Sequence, residues 1–471
     1  MQSALSIKQA LLLFSCAFMV RALVMFFFIQ PNSYYKQPDS TDYHNCALGI
    51  ALGTGMHRID RPEPIFWRTP GYPPYLAFFY KMCGIRSVDF DKNSYAQCVS
   101  IWIQIVLASF IPIILFILAY TLTHIYGIAV ILAWLAVIHP GLVLASTFLL
   151  TEGLAIIFFF LFLLFFYSLI FPSKKQRWYL PFVLAIICLS IYTWMRPMGE
   201  FIGYASAIIL FFACTGPFRQ RLMRSLLFAA LFFASLFPWY YRNYKLTGEW
   251  FFCPTIGTYL NVFNAPKILR RTTGKSLIEC HKIMGQRARD ESIKKLKELE
   301  GTGKYLCNNV CKKVSVPVCM SEPWYFIYDW FVENLKTTFD LYSYQLITMA
   351  NGSWWYDPIE EYLPDKIAAC LYSETVPTAT RAVCWLEFVF SLLVWIGLLS
   401  GFWIYLVQPL FTKKYNTLLQ KLWLVTTPLI ALCIGMTGGF GYARLRLPVE
   451  PLILILSLTC WYYILIKKRD E

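Results

Sequence analysis

Apolar runs of about twenty residues recur along the whole of this chain, each long enough to cross a bilayer as a helix. Backbone inside hydrocarbon must satisfy its own hydrogen bonds, so such runs leave a helical bundle as the fold open to them. About ten spans are expected, near residues 9–30, 99–120, 124–139, 148–171, 179–195, 199–215, 225–241, 382–408, 422–440 and 448–466. Only 15% of the residues are charged, against about 25% in a soluble domain. The fold class is therefore α: a polytopic membrane bundle.

A net charge of +15 would suit a nucleic-acid partner, but the placement of the basic residues excludes that class. They cluster in short loops between spans: Lys174, Lys175 and Arg177; Arg219, Arg221 and Arg224; Lys413, Lys414 and Lys421; and the tail Lys467, Lys468 and Arg469. All four clusters fall on one side, which the positive-inside rule makes cytoplasmic. Both termini are then inside, and the two long loops, 31–98 and 242–381, are outside. The chain divides into an N-terminal bundle (1–241) carrying the first outer loop, a large outer loop (242–381), and C-terminal membrane helices (382–471). The first apolar run, Ala10 to Gln30, is longer than a signal-peptide core and reads as a retained helix. It contains Arg21, a charge that must snorkel or find a partner in the bundle.

In the large outer loop, Gly274 to Glu300 has the period of a helix. Its apolar stripe is Leu277, Ile278, Ile283, Met284, Ile293, Leu296 and Leu299, and Gly301 is placed to end it. The basic face of this helix reads as solvated surface, with contact to anionic headgroups as a second role. Cys280, Cys307, Cys311 and Cys319 share the loop, and an oxidising compartment would permit three disulfide connectivities among them.

Under this topology several polar residues collect at one depth on the outer face. The first loop holds Asp39, Asp42 and Tyr43, followed by Arg68-Thr69-Pro70-Gly71-Tyr72-Pro73. Glu152 opens the fourth span; Arg196 lies between the fifth and sixth; Arg242 and Asn243 end the seventh; Arg444 and Arg446 lie between the ninth and tenth. Each has an ordinary reading. A lone arginine at a helix end snorkels to headgroups, Glu152 favours a helix N-terminus, and Asp39 and Asp42 stabilise a loop helix running from Tyr43 to Leu52. Their convergence is what points to chemistry. Arginine holds phosphate bidentately and stays charged, fixed cations stabilise a departing phosphate, and a carboxylate takes the proton of an attacking hydroxyl or amine. Nucleotide sugars are cytosolic, so a sugar transferase working outside needs a donor carried across on a lipid.

The stretch "PDSTDYHNCALGIALGTG…FWRTPGYPPYLAFFY" resembles the first outer loop of GT-C glycosyltransferases related to protein O-mannosyltransferases and the lipid A aminoarabinose transferase. Asp39 and Tyr43, then Arg68, Pro70, Gly71, Tyr72 and Pro73, match that family's pattern. Thr151-Glu152, Arg196-Pro197, Pro238 to Asn243 and Ala443 to Pro451 follow in its order. The resemblance covers most of the membrane portion and leaves residues from about 265 to 380 unmatched. It implies an inverting transferase that uses a polyprenyl-phosphate sugar, with Asp39 as the catalytic carboxylate. The family often has a second acid beside it; Ser40 and Thr41 are not acidic, which leaves Asp42 as the nearest candidate. Tyr43, Arg68, Tyr72, Glu152, Arg196, Arg242, Asn243, Arg444 and Arg446 are then substrate-binding candidates.

No cofactor is required by this reading; a divalent metal is compatible with it, though Asp39 and Asp42 lack an obvious His partner. The expected partners are the lipid-linked donor, a glycan, lipid or protein acceptor, and membrane lipids, in a bacterial plasma membrane with the site on the extracytoplasmic side. Two alternatives account for part of the same features. A transporter or lipid flippase would explain Arg21 and Glu387 as intramembrane charges. A ligase moving a whole glycan from a lipid diphosphate would share the same site logic.

Overall fold

A computed structural model of the chain describes residues 5–28, 38–59, 63–85, 94–171, 178–306, 309–339, 378–408, 417–435 and 447–465. These residues form helices in chain order: α1 (Ile7–Phe28), α2 (Pro38–Ala51), α3 (Tyr72–Met82), α4 (Ser94–Ala108), α5 (Ile111–Thr123), α6 (Tyr126–Ile138), α7 (Pro140–Thr147), α8 (Glu152–Ile170), α9 (Tyr179–Met195), α10 (Gly199–Ala213), α11 (Phe218–Thr247), α12 (Thr255–Tyr259), α13 (Ala265–Thr273), α14 (Leu277–Leu299), α15 (Asn309–Ser321), α16 (Pro323–Phe339), α17 (Thr378–Phe402), α18 (Thr417–Gly435) and α19 (Glu450–Leu465).

Among the described residues five stretches are long and apolar enough to cross a membrane, and α6 with α7 makes a sixth if that bent pair is one span. Shorter apolar helices lie at Tyr179–Met195, Gly199–Ala213, Leu419–Ile434 and Glu450–Leu465. Each expected span thus has an apolar helix at its place, and the chain is a multi-pass helical membrane protein. The bend of 47° between α6 and α7 is caused by Pro140. A residue before proline is pushed out of the helical region, and His139 accordingly takes an extended ψ of 116°. Its Nδ1 accepts the Leu142 N–H at 3.3 Å, satisfying a donor exposed by the break.

Helix α8 is the centre of the bundle. It packs on α4, α5, α7 and α9, and Phe159, Phe160, Phe162 and Phe166 along it are fully buried. Helix α1 exposes apolar side chains on most of its circumference and turns Leu13, Ala17, Arg21 and Met25 inward. Arg21 donates to the Ala17 carbonyl at 3.0 Å.

Helices α12 to α16 form a small unit around Ala265, Ile268, Cys280, Met284 and Cys319. The expected 274–300 helix is α14. Ser276 and Glu279 close a reciprocal capping box at its start, and Gly301 stands just past its end at φ 77°. Its apolar stripe is only half used. Leu277 and Met284 are buried while Ile278, Ile293 and Leu296 are exposed, because the helix runs on past the small core. Cys280, Cys311 and Cys319 are unbonded thiols; Cys307 lies outside the described residues, so the four-cysteine pairing does not form among those described.

Candidate functional site

The acidic loop helix begins earlier than expected. α2 starts at Pro38, whose missing N–H costs nothing in a first helical turn. Asp39 and Asp42 therefore sit one turn apart on the helix, near its positive end, rather than ahead of it. Arg68 faces both. Its NH2 donates to Asp39 Oδ1 at 2.7 Å and to Asp42 Oδ2 at 2.9 Å, and its Nε reaches Asp42 Oδ2 at 3.0 Å. Arg58 donates to Asp42 Oδ1 at 2.6 Å and the Trp67 indole to Asp42 Oδ2 at 3.1 Å.

The two acids are thereby unequal. Asp42 is wrapped by three donor side chains with its own side chain 11% exposed, whereas that of Asp39 is 33% exposed. Asp42 is thus closed in, and Asp39 is the more solvent-exposed of the two carboxylates. Burial works against the charge of Arg68, but Tyr43, Asp39 and Asp42 outweigh it and hold the guanidinium well above its ordinary value. The Arg68 guanidinium also lies 5.1 Å from the Tyr43 ring centroid.

The residues after Arg68 bolt the loop to the bundle. The Thr69 hydroxyl donates to the Met195 carbonyl at 2.8 Å, and the Gly71 N–H donates to the Trp194 carbonyl at 2.7 Å. A Cβ at Gly71 would stand 2.7 Å from the Trp194 carbonyl carbon and oxygen, so only glycine permits this approach. These bonds set Arg68 beside the end of α9, next to Arg196. Arg196 pairs with Glu152 at 2.8 Å, and Thr151 donates to the other Glu152 oxygen at 3.1 Å. The Tyr43 phenol is buried between the two ion pairs. Burial pushes its pKa up to about 12, with Arg68 and Arg196 opposing and Asp39 and Glu152 reinforcing, so it stays neutral.

Arg242 reaches the site from α11. Its NH1 donates to the Ile65 carbonyl at 3.1 Å and to Asn243 Oδ1 at 2.9 Å. Its guanidinium lies 4.4 Å from the Trp239 ring centroid and 5.2 Å from that of Phe66. Among the described residues no carboxylate pairs with it, unlike Arg58, Arg68 and Arg196.

Two residues expected to touch substrate have their polar atoms engaged within the fold. Tyr72 is fully buried, and its hydroxyl donates to Gln104 Oε1 at 3.0 Å. The Gln104 amide in turn donates to the carbonyls of Ser146 at 3.0 Å and Phe148 at 2.9 Å, just ahead of Glu152. Asn243 is buried and donates to the carbonyls of Phe251 and Phe252. Arg444 and Arg446 lie outside the described residues. Arg58, Trp67 and Gln104 were not anticipated. Arg58 carried no signal beyond being a basic residue in an outer loop, and Gln104 was one polar residue inside an apolar run.

Among the described residues no group of three or more His, Cys, Asp or Glu side chains is placed to hold a metal ion. Guanidinium and indole N–H groups occupy the Asp42 oxygens.

No protein-family model matches the chain, and no curated protein matches it. Three solved structures of the oligosaccharyltransferase from the archaeon Archaeoglobus fulgidus are similar. The form tethered to an acceptor peptide containing an NVT sequon has a TM-score of 0.49 at 15% identity, over 100% of this chain and 51% of that one. The apo form also has a TM-score of 0.49 at 15% identity, over 100% and 52%. The form with an inhibitory peptide and a dolichol-phosphate has a TM-score of 0.47 at 15% identity, over 98% and 51%. This chain thus spans about half the length of those chains. Function has to be read from the site itself.

Proposed function

We propose that this protein is an integral-membrane glycosyltransferase of the GT-C type that moves a sugar from a polyprenyl-phosphate donor to an extracytoplasmic glycan, lipid or protein acceptor. The observation that carries this reading is the partly exposed Asp39 carboxylate fixed by Arg68, with Arg242, a cation lacking a carboxylate partner among the described residues, entering the same loop at Ile65.

The reaction divides between these groups. The acceptor hydroxyl or amine gives its proton to Asp39 as its lone pair attacks the anomeric carbon. The bond from that carbon to the phosphate oxygen breaks, and its electron pair leaves on polyprenyl phosphate. Arg242 meets the growing phosphate charge with planar N–H donors, and Arg444 and Arg446 are further donors to the same phosphate. A single displacement inverts the anomeric centre. The Arg196–Glu152 pair is internally neutral, and its part is to position Tyr43 and the floor of the site. The clustering of basic residues in the opposite loops supports an outer location for the loop 31–98 and for the segment 242–381, in a bacterial plasma membrane.

The test is an assay in membranes with a labelled polyprenyl-phosphate sugar and a fractionated envelope extract as acceptor. Label entering a glycan, glycolipid or protein, and lost on Asp39→Asn, supports the reading. Transfer only from a lipid diphosphate glycan would select a ligase. Movement of the lipid across the bilayer without transfer would select a flippase.

A further inference from the structure

Helix α16 is built the wrong way round for a helix in water. Its sequence, PWYFIYDWFVENLKTTF, puts Trp324, Ile327, Tyr328 and Phe331 at i, i+3, i+4 and i+7, on one face. That face is outermost: the four residues are 81%, 50%, 61% and 55% exposed. The opposite side packs inward. Tyr325 and Phe326 lie against the core of the small unit, and Asp329 turns inward to accept from Lys267 at 3.2 Å. A carboxylate is thus spent inside while a tryptophan, a tyrosine, an isoleucine and a phenylalanine face out. In water such a face would cost free energy in proportion to its apolar area.

We propose that α16 lies flat in the interfacial layer of the bilayer, with its outward face among lipid headgroups and upper acyl chains. Three features favour lipid over a protein partner. α16 packs on α18, an apolar helix of the bundle, which places it beside the segments read as membrane-embedded. Trp and Tyr are the side chains that suit this depth, since each has an apolar ring and a polar N–H or O–H for the headgroup region. The apolar face also extends onto the preceding helix, where Met320 is 55% exposed, as expected of a surface immersed rather than a compact hot spot. The unit 255–339 is then a platform resting on the membrane beside the bundle. This inference is independent of the proposed reaction.

The experiment places p-benzoyl-phenylalanine at position 324, 325, 328 or 26 of the full-length chain, one position at a time. The protein is reconstituted in nanodiscs of phosphatidylethanolamine and phosphatidylglycerol, irradiated, and analysed by mass spectrometry. Phe26, 72% exposed on the first span, reports that lipid crosslinking works. Positions 324 and 328 are expected to give lipid adducts at a yield comparable to position 26, and position 325 several-fold less. Absence of lipid adducts at 324 and 328 while position 26 reacts would overturn the proposal. So would adducts there only to a second copy of the chain, or only to residues 340–377 of the same chain.

Discussion

One guanidinium serves two carboxylates: Arg68 NH2 stands 2.7 Å from Asp39 Oδ1 and 2.9 Å from Asp42 Oδ2. The bridge holds Asp39 while its side chain stays 33% exposed, and Asp42 is closed in by Arg58 and Trp67 as well. In the proposed reaction the base must be held in place and still be reachable by the acceptor, and of these two acids Asp39 is the more exposed.

The two acids should therefore fail differently. Asp39→Asn keeps shape and removes charge and basicity, and sugar transfer should fall about 10²–10⁴-fold with the thermal midpoint nearly unchanged. Asp42→Asn removes the buried carboxylate that Arg58, Arg68 and Trp67 share, and should cost stability by about 3–5 kcal/mol. Transfer rate and thermal midpoint measured on both variants check this. An Asp42 variant that folds normally and an Asp39 variant that transfers normally would exchange their roles.

Arg242 should be the arginine most sensitive in donor binding. Its guanidinium is sandwiched near Trp239 and Phe66 and has no carboxylate to neutralise it among the described residues. Arg242→Ala should lower transfer about 10²–10³-fold, the cost of losing one transition-state donor. Arg242→Lys should recover little, because a point charge does not reproduce the planar fork. Asn243→Ala, next to it, should instead lower the thermal midpoint, since Asn243 ties α11 to the carbonyls of Phe251 and Phe252. Donor titration alongside melting curves separates the two effects, and a fully active Arg242→Ala variant would remove that residue from the site.

The spans were legible because hydrophobic length is a one-dimensional property of the chain. The pairing Asp39–Arg68 was half legible: both residues stood out in one loop, but their contact depends on how Thr69 and Gly71 dock on the end of α9. No local pattern announces a bond between residues 126 positions apart, such as Thr69 with Met195. Tyr72 and Asn243 look like substrate groups in the sequence because they carry polar atoms at the right depth. The polar atoms turned out to be spent on Gln104 and on backbone carbonyls, and burial is not visible in sequence. The inverted face of α16 was also hidden, since its apolar period looks the same whichever side packs.

The close approach at Gly71 gives a stability test. Gly71→Ala would push a methyl into the Trp194 carbonyl at 2.7 Å, and relief requires moving the loop that carries Arg68. A loss of about 1–3 kcal/mol is expected, as for other overpacked sites, together with lower transfer. Gly285, inside α14 with open space around it, is the opposite case. Gly285→Ala should stabilise by about 0.5–1 kcal/mol through backbone entropy and leave transfer alone. Equal melting temperatures for the two variants would contradict the geometry at Gly71.

His44, on the same loop helix as Asp39, should make the loop acid-sensitive. It is buried, and its Nδ1 lies 2.8 Å from the Tyr80 hydroxyl and 2.9 Å from the Gln97 amide nitrogen. An amide nitrogen donates, so that ring nitrogen accepts and the imidazole is neutral. Burial pushes the pKa of His44 down to about 3, from about 6.5 in an unfolded chain. Between those values the unfolded state binds the extra proton and the folded state does not, so stability rises with pH across that window. The contribution is complete above about pH 6.5 and is lost at up to about 1.4 kcal/mol per pH unit as the pH falls. Most carboxylates titrate lower, so the interval from about pH 6.5 to about pH 5 isolates this group. There, unfolding free energy should drop by about 1.5 kcal/mol more in the native protein than in a His44→Gln variant. Thermal or denaturant unfolding of both proteins across that interval measures the difference. Parallel curves would mean that His44 takes up its proton in the folded state without penalty, and would place it in contact with water or with an anionic group.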